Sequence, residues 1–393
     1  MRTVMKAAQL IDGTGAAPIQ NGCLMIEDQR IVGVGVAGPA TTKPTDVTID
    51  LPGCTILPGL VDAHSHLASD PGIGNQPQQL AAGEAELAMR SVAYMRRDLL
   101  SGVTTSRLMS EKYFIDITAR RLVSAGLFPG PRFITATRGI RPSHGHGASP
   151  IVIDGADNMR RAVRENLRAG ADLIKLFLTG SIIHEREAAL HCGYTLEEIR
   201  AAVDEAHGAG KPVAVHAHGG PGIELSLAAG VDSIEHGSLM TPSQIDRVAE
   251  KGMWVVLTLT LVMHDDGLMR IDGKNPVIRE RILRARDTLA ETASRIIASG
   301  GRIAVGSDAL HGMFAHEASY LVQFGMPPLE AIACCTRHGA ALCGILNETG
   351  TLETGKRADL IAIEGDPLSD ISALRNVRLV VKDGQSYDAR SQK

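Results

Sequence analysis

Residues 59–70 read GLVDAHSHLASD, an apolar run that ends by placing Asp62, His64 and His66 at alternate positions. Side chains alternate across a strand, so the three share one face, and in a barrel that face points inward. Two imidazoles at the last inward positions project toward a common point at the C-terminal mouth, where barrel active sites are built. That placing suits a metal better than a core. An HxH pair alone serves equally well as two satisfied polar histidines, so its meaning depends on the ends of the other strands.

Seven further runs have the same character: GVTTSRLM (102–109), PRFITATRG (131–139), DLIKLFLTG (172–180), KPVAVHAHG (211–219), VDSIEHGS (231–238), MWVVLTLTL (253–261) and RIAVGSDA (302–309). Segments with helical spacing lie between several of them. In TLEEIRAAVDEAHGAG (195–210), Leu196, Ile199 and Val203 recur on one face and Gly210 closes the helix. Eight strands alternating with helices predict an α/β fold, a (β/α)8 TIM barrel over residues 58–346. Residues 1–57 and 347–393 instead carry short β-type runs broken by glycines, among them CLMIEDQRIVGVG (23–35), DVTIDLPG (46–53), ADLIAIEG (358–365) and VRLVVKDG (377–384). They predict a small β-sandwich domain assembled from both termini. An insert at 262–282 fits no element.

Composition narrows the partners. The chain of 393 residues is 44% hydrophobic, 21% charged and 3% aromatic, with a net charge of -4 and no Lys/Arg block. An electrostatic footprint for nucleic acid or an anionic membrane is missing, and no run reaches the length of a membrane span. A small-molecule substrate is the expected partner. The start, MRTVMKAAQLIDGTG, lacks an apolar signal core, and Cys23, Cys54, Cys192, Cys334, Cys335 and Cys343 form no CxxC pair. Both features point to a reducing, cytoplasmic setting.

The other strand ends carry the chemistry. Lys175 interrupts LIKLF on the inward face of the fourth strand, where a lone ammonium is costly to bury. Desolvation lowers the pKa of such an amine, and the neutral form can add carbon dioxide to become a carbamate able to bridge two divalent cations. The fifth strand offers His216 and His218, the sixth His236, and the eighth ends in GSDA with Asp308 at the mouth.

This set resembles the amidohydrolase superfamily in its binuclear form with a carboxylated lysine. LIDGTG, EAHGAGKPVAVHAHG, GVDSIEHGS and GTLETGKRADLIAIEGDPL are similar to family segments, and VAVHAHG followed by GVDSIEHGS resembles the branch of Xaa-Pro and Xaa-Arg/Lys dipeptidases and ochratoxin-type amidases. The resemblance implies that His64, His66 and Asp308 hold one metal, His216 and His236 a second, and carboxylated Lys175 bridges them. Nitrogen and oxygen ligands suit two zinc ions, with manganese, cobalt or iron as alternatives. The expected reaction is hydrolysis of an amide in a dipeptide, N-acyl amino acid or carbamate by a metal-bridging hydroxide. Asp308 would shuttle the proton and His218 would donate to the developing oxyanion.

Arg138, Arg141, His144, His146, His184, Arg186 and His191 crowd the loops after strands three and four, which predicts a carboxylate-bearing substrate. By alignment with the family, His146 and Tyr194 are expected to touch it, and His144 and Arg186 complete the expected substrate-binding set. RPSHGHG (141–147) and TGSIIHEREAALHCGYTLEE (179–198) depart from the branch's usual loops, which leaves dipeptidase specificity open. The resemblance also implies a homo-oligomer. A cyclic-amide or lactone hydrolase of the same superfamily is an alternative. A mononuclear deaminase fits less well, because Lys175 is present and no glutamate follows His216 closely. A non-catalytic scaffold would show ligand loss, and none of the six is missing.

Overall fold

The computed structural model describes residues 2–38, 43–148, 150–183 and 185–392; His184, one of the mouth candidates, lies outside them. All eight predicted runs are strands of a barrel: Leu60–Ser65, Val103–Leu108, Arg132–Thr135, Ile174–Phe177, Val213–Ala217, Ser233–His236, Trp254–Leu257 and Arg302–Val305. Their pairing is parallel. Asp172 N–H donates to the Thr135 carbonyl at 2.8 Å between the third and fourth strands, and Asp308 N–H donates to the His64 carbonyl at 2.9 Å between the eighth and first. These two bonds complete the ring.

Alternation assigns the faces. On the fourth strand Ile174 and Leu176 pack into the layer shared with the helices, whereas Leu173 packs with Met109, Ala136 and Ala214 inside the barrel. Lys175 therefore belongs to the inward set, as its spacing predicts. The helix expected at 195–210 spans Leu196–Gly208, with Thr195 and Glu198 forming a capping box and Ile199, Ala202, Val203 and Ala206 buried. Proline at the first turn starts the helices Pro221–Ala229, Pro242–Glu250 and Pro276–Ala298, where its missing N–H costs nothing.

Strands from the two ends of the sequence form one eight-stranded sheet, in the order Gln385–Asp388, Val377–Lys382, Leu360–Glu364, Val47–Pro58, Arg2–Leu10, Gly22–Glu27, Arg30–Val36, with Ile19–Gln20 beside Arg2–Leu10. Strand Leu360–Glu364 is buried on both faces up to its last residue. Ile361 and Ile363 join the barrel's core, and Leu360 and Ala362 join a second cluster with Met5, Leu24 and Ile56. The six cysteines are free thiols.

The opening stretch departs from its alternation at one residue. The register of the first strand against the second shifts between Asp62 and Ser65, so Asp62 does not join His64 and His66. Its buried carboxylate instead accepts the N–H groups of His64 (3.2 Å) and Ser307 (3.1 Å) and the Ser307 hydroxyl (2.5 Å), clamping strand one to the turn after strand eight. Burial pushes its pKa up to about 7, with the Ser307 bonds opposing. The clamp is tight. A Cβ on Gly306 would lie 2.3 Å from that of His64, so only glycine fits.

Candidate metal centre

Six imidazoles meet at the mouth-side ends of strands one, five and six and the loop after strand three. Ring centroids are 5.5 Å apart for His64 and His66, 4.9 Å for His64 and His236, 4.6 Å for His216 and His236, 5.2 Å for His218 and His236, and 5.0 Å for His146 and His216. His64, His66 and Asp308 each offer a ligand atom within 4.8 Å of the others. The backbone is strained where the loops turn inward: φ is 76° at His236, 49° at Asp308 and 72° at Ala309, values that favour glycine and cluster at functional sites.

The hydrogen bonds behind the rings decide which nitrogens face the centre. His64 Nδ1 donates to Glu235 Oε2 at 2.7 Å, and His66 Nδ1 donates to the Ser110 carbonyl at 3.1 Å. Each therefore turns Nε2 toward Asp308 Oδ1, at 3.6 and 3.3 Å. Two imidazole lone pairs and a carboxylate facing one another need a cation between them, and a divalent metal meets that need. His216 Nε2 donates to the Gly180 carbonyl at 3.0 Å, leaving Nδ1 free to ligate. His236 Nδ1 bonds the Thr258 hydroxyl at 2.8 Å, leaving Nε2. The donor set fits metal.

The electrostatics of the buried groups agree with that assignment. Burial, with the neighbouring Lys175 charge, pushes His64 down to about 4. Burial and the adjacent imidazoles hold His216 and His236 well below their usual value. Burial would lower His66 too, but Asp308 reverses the shift, and a proton or a metal would fill the same gap. Burial alone would raise Asp308, yet His64, His66 and Lys175 hold it well below the carboxylate range.

Lys175 is fully buried, and among the described residues its Nζ has no hydrogen-bond partner, lying 5.0 Å from the Phe177 ring centroid. Burial pushes its pKa down to about 8. An orphaned buried amine is the group that carboxylation would equip with oxygen ligands.

Sequence reasoning missed a buried relay behind His64. Glu235 Oε1 receives Arg107 Nη1 at 3.1 Å and the Ser233 hydroxyl at 2.7 Å, while Arg107 also donates to Ser233 Oγ at 3.0 Å and the Ala63 carbonyl at 3.0 Å. Burial would raise the Glu235 carboxyl, but Arg107, His64 and Lys175 hold it well below its usual range. The only signal in the sequence was a glutamate and an arginine on strands that are otherwise uncharged between their ends.

A cavity of about 400 Å³ opens above these groups. Its wall includes His146 and His218 but not His144, Arg186 or Tyr194. Tyr194 is buried and its hydroxyl donates to the Ile153 carbonyl at 2.8 Å; His144 faces His191, 3.3 Å between Nε2 atoms; Arg186 is exposed at the start of helix Arg186–Leu190. Arg138 pairs with Glu165 at 3.1 Å and lies over Phe114, and Arg141 donates to the Gly145 carbonyl at 2.9 Å. Of the expected cationic mouth, Arg138 and Arg141 are thus spent on holding loops together, whereas His146 lines the cavity.

The cavity's first-strand loop is pinned by a second histidine. His311 Nδ1 donates to Asp98 Oδ2 at 2.8 Å and Nε2 to the Ser69 carbonyl at 2.9 Å; Tyr94 stacks on the ring at 4.4 Å, under Arg97, and gives its hydroxyl to Asp70. Two acceptors require an imidazolium. Burial opposes that charge, but Asp98, Ser69 and the more distant Asp62 outweigh it and raise the pKa. A raised folded pKa stabilises fully below the unfolded value of about 6.5 and is lost as pH climbs through the folded one. The denaturation-midpoint difference between wild type and His311→Gln should therefore shrink as pH rises above neutrality, and a constant difference would contradict the imidazolium.

The family model for the amidohydrolase family matches residues 55–386. Ochratoxinase of Aspergillus niger is 28% identical over 416 aligned positions, which cover 96% of this chain and 84% of that protein. A solved Xaa-Pro dipeptidase with methionine bound in its active site superposes with a TM-score of 0.88 at 30% identity, covering 99% of this chain and 100% of that one. A prolidase complexed with N-methylphosphonate-L-proline superposes with a TM-score of 0.87 at 26% identity, covering 99% and 100%. No helix among the described residues is long and apolar enough to cross a membrane. Since the matched segment contains every barrel strand and all the gathered histidines, the chain belongs to the amidohydrolase family, metal-dependent hydrolases acting on C–N bonds.

Proposed function

We propose that this enzyme hydrolyses the amide bond of a small N-acylated substrate, such as a dipeptide, an N-acyl amine or amino acid, or a carbamate. The observation that carries the reading is the convergence of His64 Nε2, His66 Nε2 and Asp308 with both Nδ1 atoms already committed. His64, His66 and Asp308 would hold one zinc ion, His216 Nδ1 and His236 Nε2 a second, with Lys175 carboxylated between them. Such ions, when bound, acidify water and polarise a carbonyl. The chain's own residues do the rest. Asp308, held ionised, takes a proton from the attacking water and passes it to the leaving nitrogen. His218, on the cavity wall, donates to the carbonyl oxygen as charge develops there, and His146 steadies the substrate.

Elemental analysis of protein prepared with bicarbonate, paired with a hydrolysis screen over dipeptides, N-acyl amines, N-acyl amino acids and carbamates, tests the reading. About two metal equivalents with release of amine are expected. Protein that takes up no metal and turns over no amide would overturn it.

A further inference from the structure

We infer that Asp272 forms a subsite for an ammonium group carried on an apolar stem, so that the enzyme favours amide substrates with a cationic amine remote from the scissile bond; this rests on the amidase reading above. The insert after the seventh strand, unassignable by periodicity, folds as the short helix Leu259–Met263, a wide turn Asp265–Met269 and one helical turn Arg270–Asp272. It lays Leu261, Val262, Leu268, Ile271 and Asp272 along the cavity wall. Four aliphatic side chains and one carboxylate make a surface that matches an alkyl stem ending in a donor.

Asp272 has no structural duty that explains it. It is partly buried, and among the described residues no hydrogen bond or ion pair reaches its carboxylate. Its pKa is raised by burial alone, with no neighbouring charge contributing. Of the two basic residues nearest in sequence, Arg270 pairs with Asp266 at 3.6 Å, and Lys274 makes no ion pair with Asp272 among the described residues. A carboxylate half withdrawn from water with no partner is costly, and a ligand ammonium repays that cost through a charge-assisted hydrogen bond.

The rest of the wall sharpens the selection. Among the described residues no lysine or arginine lines the cavity, and Arg138 and Arg141 are committed elsewhere. A second carboxylate on the substrate would meet Asp272 with no cation to offset it.

Three amides with the same scissile bond and the same alkyl chain, ending in an ammonium, a methyl or a carboxylate, provide the test. Wild type should show kcat/KM highest for the ammonium, about tenfold or more above the carboxylate. Asp272→Asn should collapse that ratio and Asp272→Lys should reverse it. In parallel, ligand-observed NMR with hexylammonium and hexanol reads the subsite without turnover: hexylammonium should bind more tightly, and only in the presence of Asp272. Amide hydrolysis with a ratio unchanged in both variants would overturn the subsite and leave the amidase reading standing. Absence of hydrolysis with Asp272-dependent hexylammonium binding would support the subsite and overturn the amidase reading.

Discussion

Lys175→Met is expected to cost the enzyme about a thousandfold in kcat, or ~4 kcal/mol of transition-state stabilisation, and to leave it short of metal. Methionine keeps the fully buried stem filled, so the loss reports the amine and not a cavity. Among the described residues Nζ has no hydrogen-bond partner, so removing it breaks no such bond; what would disappear is the attachment point for the proposed carbamate. The variant Lys175→Ala leaves room for a small acid, and formate or acetate should restore part of its turnover by standing in for the carbamate. Metal content and kcat measured with and without added acid check both statements. Undiminished activity in either variant would remove Lys175 from the site.

Glu235→Gln is expected to weaken metal binding at the His64 site by one to two orders of magnitude, about what loss of a carboxylate behind a ligating histidine costs. Glu235 offers acceptors to both His64 and Arg107, and an amide can serve only one of them. If the amide oxygen of that variant satisfies Arg107, its NH₂ faces His64 Nδ1, and the imidazole must turn its lone pair away from Asp308. Arg107→Met should be worse for the fold, destabilising it by about 3–5 kcal/mol, because it strands a buried carboxylate without its cation. Competition against a chelator reads the first effect and urea denaturation the second. Equal metal affinity in Glu235→Gln would show that the relay is scaffolding alone.

Much of this architecture was legible in the sequence because each signal was local. Eight β-branched runs name eight strands, and a lysine between Ile174 and Leu176 in LIKLF has no bland explanation once the strand is recognised. Alternation correctly turned Lys175 inward but failed at Asp62, because a register shift inside the first strand is invisible to a period of two. The mouth failed differently. Arg138, Arg141 and Tyr194 sit in loops whose partners, Glu165, Gly145 and Ile153, are set by tertiary packing, and composition cannot tell a binding cation from a structural one. Glu235 and Arg107 meet across the barrel from strands far apart in the chain, so neither announced the other.

The sheet that joins the two ends of the sequence also sets an order of events. Strand Val47–Pro58 runs through Gly59 directly into Leu60–Ser65, the strand that presents His64, and Leu360 pairs with Pro58 at the junction. The anchor for the histidine strand is thus synthesised after all eight barrel strands. On the ribosome, the emerging chain carries its histidines long before it can hold them in register, and non-local contacts of this kind are slow to close. If these histidines hold metal as proposed, its capture is a late event, tied to maturation of the polypeptide and not to the appearance of the histidines.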